Sequence, residues 1–187
     1  PDAPAAAAVL AVSLFPVVAY SAPRLRFKEI PGLDSVTSST HFVSPAVYGL
    51  VLAGAPWTAS ATVTLAAFFL WGAASHAFGA VQDVVPDREG GLRSIATAFG
   101  ARGTVRLAIA LWALAGALLL LLPFPGLLAA LLAIPYVVLA WPYRAVSDAA
   151  SGTANRAWRR FLAVNYAVGF VATMILIAVA SGVGAGG

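Results

Sequence analysis

Residues 58–87 read TASATVTLAAFFLWGAASHAFGAVQDVVPD, and their reading decides how the chain is built. From Thr58 to Gln82 there is no charged side chain, a length that suffices for a helix to cross the hydrocarbon core, which takes about 20 residues. Charge then arrives abruptly, at Asp83, Asp87 and Arg88. A charge at mid-bilayer costs several kcal/mol, so the pattern predicts a spanning helix that delivers two carboxylates to one membrane surface.

Outward from this segment the pattern repeats. The uncharged runs are 3–23, 35–82, 107–143 and 161–187, long enough for one, two, two and one spans. The longer runs carry breakers where a turn is needed, at Gly54-Ala55-Pro56-Trp57 and at Leu122-Pro123-Phe124-Pro125-Gly126. The expected spans are about 4–21, 35–54, 58–81, 104–122, 125–143 and 161–182, an all-α multi-pass transmembrane bundle. Composition agrees: at 61% hydrophobic and 10% charged, the chain has too few polar residues to cover a water-soluble core.

All 11 Lys and Arg fall in segments 22–34, 82–106 and 144–160, which follow the first, third and fifth spans and so share one face. The positive-inside rule makes that face cytoplasmic, in the cell membrane. The basic balance therefore reports topology, and no nucleic-acid partner is expected. Absence of cysteine removes disulfide, zinc-thiolate and thiol-nucleophile chemistry together. No signal peptide is evident, and a start at Pro1 with so short a lead into a span reads as a chain whose true N-terminus lies further upstream.

Asp83 and Asp87 are four apart and can face one point if the backbone is helical or nearly so. Pro86 is expected to end the helix between them, leaving Asp83 in the last turn, at the negative end of the helix dipole. A divalent cation offsets both the dipole and the like-charge repulsion, and Mg²⁺ commonly takes one or two carboxylates plus substrate phosphates. The bland alternative has both aspartates solvated and paired with Arg88 and Arg93. On the same face, Tyr20 is followed by Arg24, Arg26 and Lys28; these three alternate, and an extended backbone would project them to one side, suited to a diphosphate. Arg93 joins them as a diphosphate candidate. An ordinary basic anchor is the alternative for the triplet.

His41, His76 and Asn155 are cavity candidates, with helix-packing hydrogen bonds or an interfacial anchor as the competing readings. His76 lies seven residues before Asp83, on about the same helix face. Phe68, Phe69, Trp71 and Phe78, with Phe161, Tyr166 and Phe170 in the last span, offer aromatic faces that could meet a cationic group, but packing or lipid contact explains most of them.

Tyr20 to Arg24 and Asp83 to Asp87, two spans apart in cytoplasmic loops, resemble the Y-x-x-x-K and second D-x-x-x-D motifs of the UbiA-type membrane prenyltransferases, with Arg24 in the usual lysine position. The likeness runs across essentially the whole chain. Residues 20–28, 34–42, 79–83, 94–97 and 154–156 are similar to the lycopene elongase branch of C50 carotenoid biosynthesis. The resemblance implies part of a nine-span bundle. It also implies Mg²⁺-assisted ionisation of an allylic prenyl diphosphate, dimethylallyl diphosphate for this branch, and capture of the C5 cation by a hydrophobic polyene acceptor, lycopene. The family's first motif, N-D-x-x-D, is not found in residues 1–187, so this chain alone is expected to insert into a bilayer and catalyse nothing. Two rivals stand beside this reading: a prenyltransferase for a quinone or aromatic acceptor, and a non-enzymatic membrane scaffold or transporter. The uncharged runs offer no intramembrane charge for a transporter.

Overall fold

In the computed structural model, which describes residues 3–182, every regular element is helical. Seven α-helices follow in order: α1 (Ala3–Ser21), α2 (Leu33–Leu52), α3 (Ala59–Ala80), α4 (Val84–Glu89), α5 (Ile95–Leu119), α6 (Ile134–Ala140) and α7 (Asn155–Ala180). Short 3-10 turns join several of them, at Phe27–Glu29, Val81–Asp83, Gly126–Ala133, Trp141–Tyr143 and Asp148–Ala154.

Five stretches are long and apolar enough to cross a membrane: Pro4–Ser21, Ala59–Glu89, Ile95–Leu119, Gly126–Tyr143 and Asp148–Ala180. The sixth long helix, α2, is less apolar for a local reason. Its first half reads Asp34-Ser35-Val36-Thr37-Ser38-Ser39-Thr40-His41, and Asp34, Ser35, Thr37 and Ser39 are buried against neighbouring helices. A span can carry such side chains when they face protein, where hydrogen bonds satisfy them.

The long helices pack largely in chain order: α1 on α2, α2 on α3, α3 on α5, and α5 on the 126–140 segment, with α7 closing against that segment. Small residues permit the close approaches. A Cβ on Gly72 of α3 would stand 2.7 Å from Ser39 Oγ, and one on Gly116 of α5 would stand 2.9 Å from Ala133 Cβ. Around these contacts Phe78, Trp112, Tyr136 and Phe161 form the buried aromatic centre, with Trp112 and Tyr136 stacked at 5.5 Å. Large apolar side chains on α1 and α7, such as Val12, Phe15, Phe170 and Leu176, are exposed, the normal condition of a surface whose solvent is lipid.

Three local features differ from the sequence expectation. Pro86 does not end a helix: α3 tightens into the 3-10 turn at Val81–Asp83, and Pro86 sits in the first turn of α4, where its missing N–H has no partner to lose. The basic loop is not extended. Arg24 and Arg26 adopt left-handed backbone, φ 75° and 40°, and the chain passes into the Phe27–Glu29 turn, so alternation does not align the three cations. α7 begins at Asn155, and Arg156, Arg159 and Arg160 lie exposed on its first turns, opposite the buried Ala157 and Phe161.

Candidate active site

The end of α3 that faces the basic loops opens into a cavity of about 530 Å³. α3 and the turn after it contribute His76, Gly79, Gln82 and Asp83; α4 contributes Asp87; the 90–94 loop contributes Arg93 and Ser94. From the other side come Tyr20 at the end of α1, Arg26 and Lys28 from the basic loop, and Asp34 at the start of α2; Trp158 of α7 closes the rim. Four carboxylates, Glu29, Asp34, Asp83 and Asp87, and three cations thus share one mouth. Of the residues proposed from sequence, Tyr20, Arg26, Lys28, His76, Asp83, Asp87 and Arg93 line it, whereas Arg24, His41 and Asn155 do not.

The charged groups are not simply paired off. Among the described residues the ion pairs are Arg26 with Glu29 and Arg88 with Asp148, and neither involves Asp83 or Asp87. Arg88 turns away from its neighbour Asp87: Nη1 donates to Asp148 Oδ2 at 2.6 Å, and Nη2 donates to the Thr97 carbonyl at 3.0 Å. The other Asp148 oxygen accepts the Ala101 amide at 2.7 Å, just past Gly100, whose φ of 70° kinks α5. A Cβ on Gly100 would lie 3.0 Å from that carboxylate, so glycine serves both the left-handed backbone and the close approach. Asp148 therefore clamps α4 to α5 and frees the aspartate pair from its nearest arginine.

The rim and floor are set by further hydrogen bonds. Asn155 acts at one remove, its Nδ2 donating to Gln82 Oε1 while Gln82 Nε2 donates to the Gly79 carbonyl at 3.1 Å. Trp158 lies over Gly79, where any Cβ would meet its ring at 3.0 Å, and it stacks on Phe161 at 4.7 Å. Below them Tyr20 stands between two histidines. Its hydroxyl is 3.4 Å from His76 Nε2, and its ring meets that of His41 edge-on at 5.6 Å. His41 Nε2 is buried without a partner among the described residues.

Five contributors were given no role from the sequence: Asp34, Ser35 and Gln82, which fall within the stretches similar to the lycopene elongase branch, and Asp148 and Trp158. Asp34 had a signal, being the last charge before 48 uncharged residues and standing at the head of a Ser- and Thr-rich turn. Trp158 and Asp148 had none, because their partners are distant in sequence. The aromatic candidates divide in the opposite sense: Phe78 and Phe161 are buried packing residues, while Tyr166 and Phe170 are 84% and 65% exposed.

Among the described residues no group of three or more His, Asp or Glu side chains is placed to hold a metal. The donor set nonetheless suits a hard cation shared with a phosphate ligand, since two unpaired carboxylates face cationic side chains across one cavity.

The family model described as "UbiA prenyltransferase family" matches residues 3–167. The chain belongs to this family. Among the curated relatives of this UbiA-family chain, the lycopene elongase/hydratase of Corynebacterium glutamicum is 48% identical over 170 residues, covering 91% of the chain and 59% of the relative. The C(50) beta-cyclic carotenoids biosynthesis protein LbtBC of Dietzia sp. is 50% identical over 169 residues, 90% of the chain and 39% of that protein. A lycopene elongase/hydratase of Haloferax volcanii is 36% identical over 167 residues, 88% of the chain and 52% of the relative. The chain thus spans about half the length of these UbiA-family relatives. No solved structure matches.

Proposed function

We propose that the protein carrying this chain transfers a C5 allylic group from its diphosphate to a long apolar polyene of the lycopene type. The observation that carries the proposal is the mouth where Asp83 and Asp87, outside every ion pair among the described residues, face Arg26, Lys28 and Arg93. Naming the acceptor rests on the relatives, which are called lycopene elongase/hydratase.

In this reading Asp83 and Asp87 would supply hard oxygen ligands to Mg²⁺ beside the diphosphate. When bound, the ion adds positive charge at the oxygens where negative charge collects as the carbon–oxygen bond breaks. Arg26, Lys28 and Arg93 supply charge-assisted hydrogen bonds to the same leaving group, and Tyr20 offers a hydroxyl at the inner edge. Trp158 presents an indole at the rim, where an aromatic face can shield a carbocation from water. Membranes holding the full-length protein, lycopene and dimethylallyl diphosphate should yield products longer by one and two C5 units. Prenylation of a quinone precursor with lycopene untouched would move the protein to a different acceptor class.

The same proposal places the cavity on the cytoplasmic face of the cell membrane, because the Lys and Arg residues gather there. Cysteines at Leu25, Gly90 and Ala149, all exposed, should react with an impermeant reagent from the cytoplasmic side only, and one at Ala55 from the opposite side. Reaction of any of the first three from outside contradicts this orientation. Ser35 and Ser151 are unsuitable probes since both are buried.

A further inference from the structure

We propose that His76 is the base of the reaction, taking the proton whose loss turns the coupled carbocation into product. This inference rests on the transfer reading above and adds a residue to it. When the carbon–oxygen bond of the allylic diphosphate breaks, its electron pair leaves with the diphosphate. The π pair of the acceptor's terminal alkene then forms the new carbon–carbon bond, and the positive charge moves to the other alkene carbon. To finish as an alkene the adduct must give up a proton from an adjacent carbon. That C–H pair becomes the new double bond, the proton goes to the base, and solvent later removes it. Addition of water to the same cation is the competing fate.

The position of His76 suits this step. It lies on α3 seven residues before Asp83, which stands in the 3-10 turn that continues the helix, and both line the one cavity, His76 roughly 10 Å further along the axis toward the bilayer. A diphosphate held at Asp83 would extend its C5 group in that direction. The ring is oriented from two helices. Ser35 Oγ of α2 is 3.0 Å from Nδ1, and the Tyr20 hydroxyl of α1 is 3.4 Å from Nε2. Ser35 is itself fixed, because its amide donates to Asp34 Oδ1 at 2.7 Å while Asp34 Oδ2 accepts the Ile95 amide at 2.7 Å. With Nδ1–H donating to Ser35, Nε2 keeps its lone pair on the side of Tyr20, whose contact at 3.4 Å is too long to hold that lone pair tightly.

The other charged lining groups have other commitments. Both Asp34 oxygens accept backbone amides, Asp83 and Asp87 stand at the diphosphate end, and Arg26, Lys28 and Arg93 have no lone pair while protonated. Glu29 is paired with Arg26. A neutral imidazole is the remaining group whose ordinary affinity for protons suits a base near neutral pH.

The test uses the full-length protein with lycopene and dimethylallyl diphosphate, reading diphosphate release and, by mass spectrometry, the ratio of alkene product to its water adduct. His76→Gln should still release diphosphate, yet the ratio should fall about a hundredfold. Ser35→Ala, which loosens the ring without removing it, should lower the ratio in the same direction by less. An unchanged ratio in His76→Gln overturns the proposal; if that variant does not fold, an unchanged ratio in Ser35→Ala does so. A purely structural histidine would lower total turnover and leave the ratio alone. Failure of the transfer reading shows separately, as wild-type protein that extends no lycopene, and removes this proposal with it.

Discussion

Asp83→Ala and Asp87→Ala, made singly in the full-length protein, should each reduce prenyl transfer by at least about a hundredfold while membrane insertion and thermal stability stay at wild-type levels. Both halves of this expectation come from the geometry. Neither carboxylate belongs to an ion pair among the described residues, Asp83 is exposed and Asp87 half-buried, so alanine removes little that holds the fold together. What it removes is charge facing Arg26, Lys28 and Arg93 across the cavity, where a metal-bound diphosphate would need it. Glu89→Ala, two residues beyond Asp87 and outside the cavity, should leave turnover unchanged and serves as the charge control. Full turnover in either aspartate variant would show that the diphosphate is held elsewhere.

Asp34→Ala should act the opposite way, on stability first. This carboxylate is fully buried, and both oxygens accept backbone amides, one from Ser35 in its own helix and one from Ile95 at the start of α5. The Ile95 N–H is one of the first-turn donors that a helix cannot satisfy itself, so Asp34 caps a helix 61 residues away. Alanine would leave two buried donors without acceptors, at a cost of about 1–3 kcal/mol each, and would release the junction that closes the 90–94 loop over the cavity. Equilibrium unfolding in detergent should therefore register a loss of roughly 2–6 kcal/mol. Asp34→Asn keeps one acceptor oxygen and should lose less. Equal stability of wild type and Asp34→Ala would mean that water reaches these amides and that the cap contributes nothing.

The two aspartate predictions mark a divide in what could be read beforehand. Asp83 and Asp87 were legible because four-residue spacing at the end of a long uncharged run is a local property. Asp34 stands at the start of such a run and looked like its boundary, because the amide it caps lies beyond two intervening helices. The basic loop misled in a related way: alternation suggested an extended strand, but Arg24 and Arg26 take left-handed backbone, and only Arg26 and Lys28 reach the cavity. His76 could be placed on the Asp83 face by counting turns, whereas its contacts with Tyr20 and Ser35 required α1, α2 and α3 to meet.

By itself the sequence determined that the chain is a bundle of membrane-crossing helices and that its charged groups gather in three segments. Lipid penalises an unpaired charge wherever it stands, so hydropathy along one dimension is enough to locate helices. It also carried the aspartate pair and the family likeness, both of which depend on residue spacing. Only the tertiary structure decided which charges remain available. Arg88 pairs with Asp148, 60 residues away, at 2.6 Å and leaves Asp87 without an ion pair among the described residues; Asp34 spends both oxygens on amides; Trp158 seats over Gly79. Hydrogen bonds and ring contacts act over a few ångströms, and which groups come that close is set by the packing of several helices at once, which no pattern along a single segment encodes.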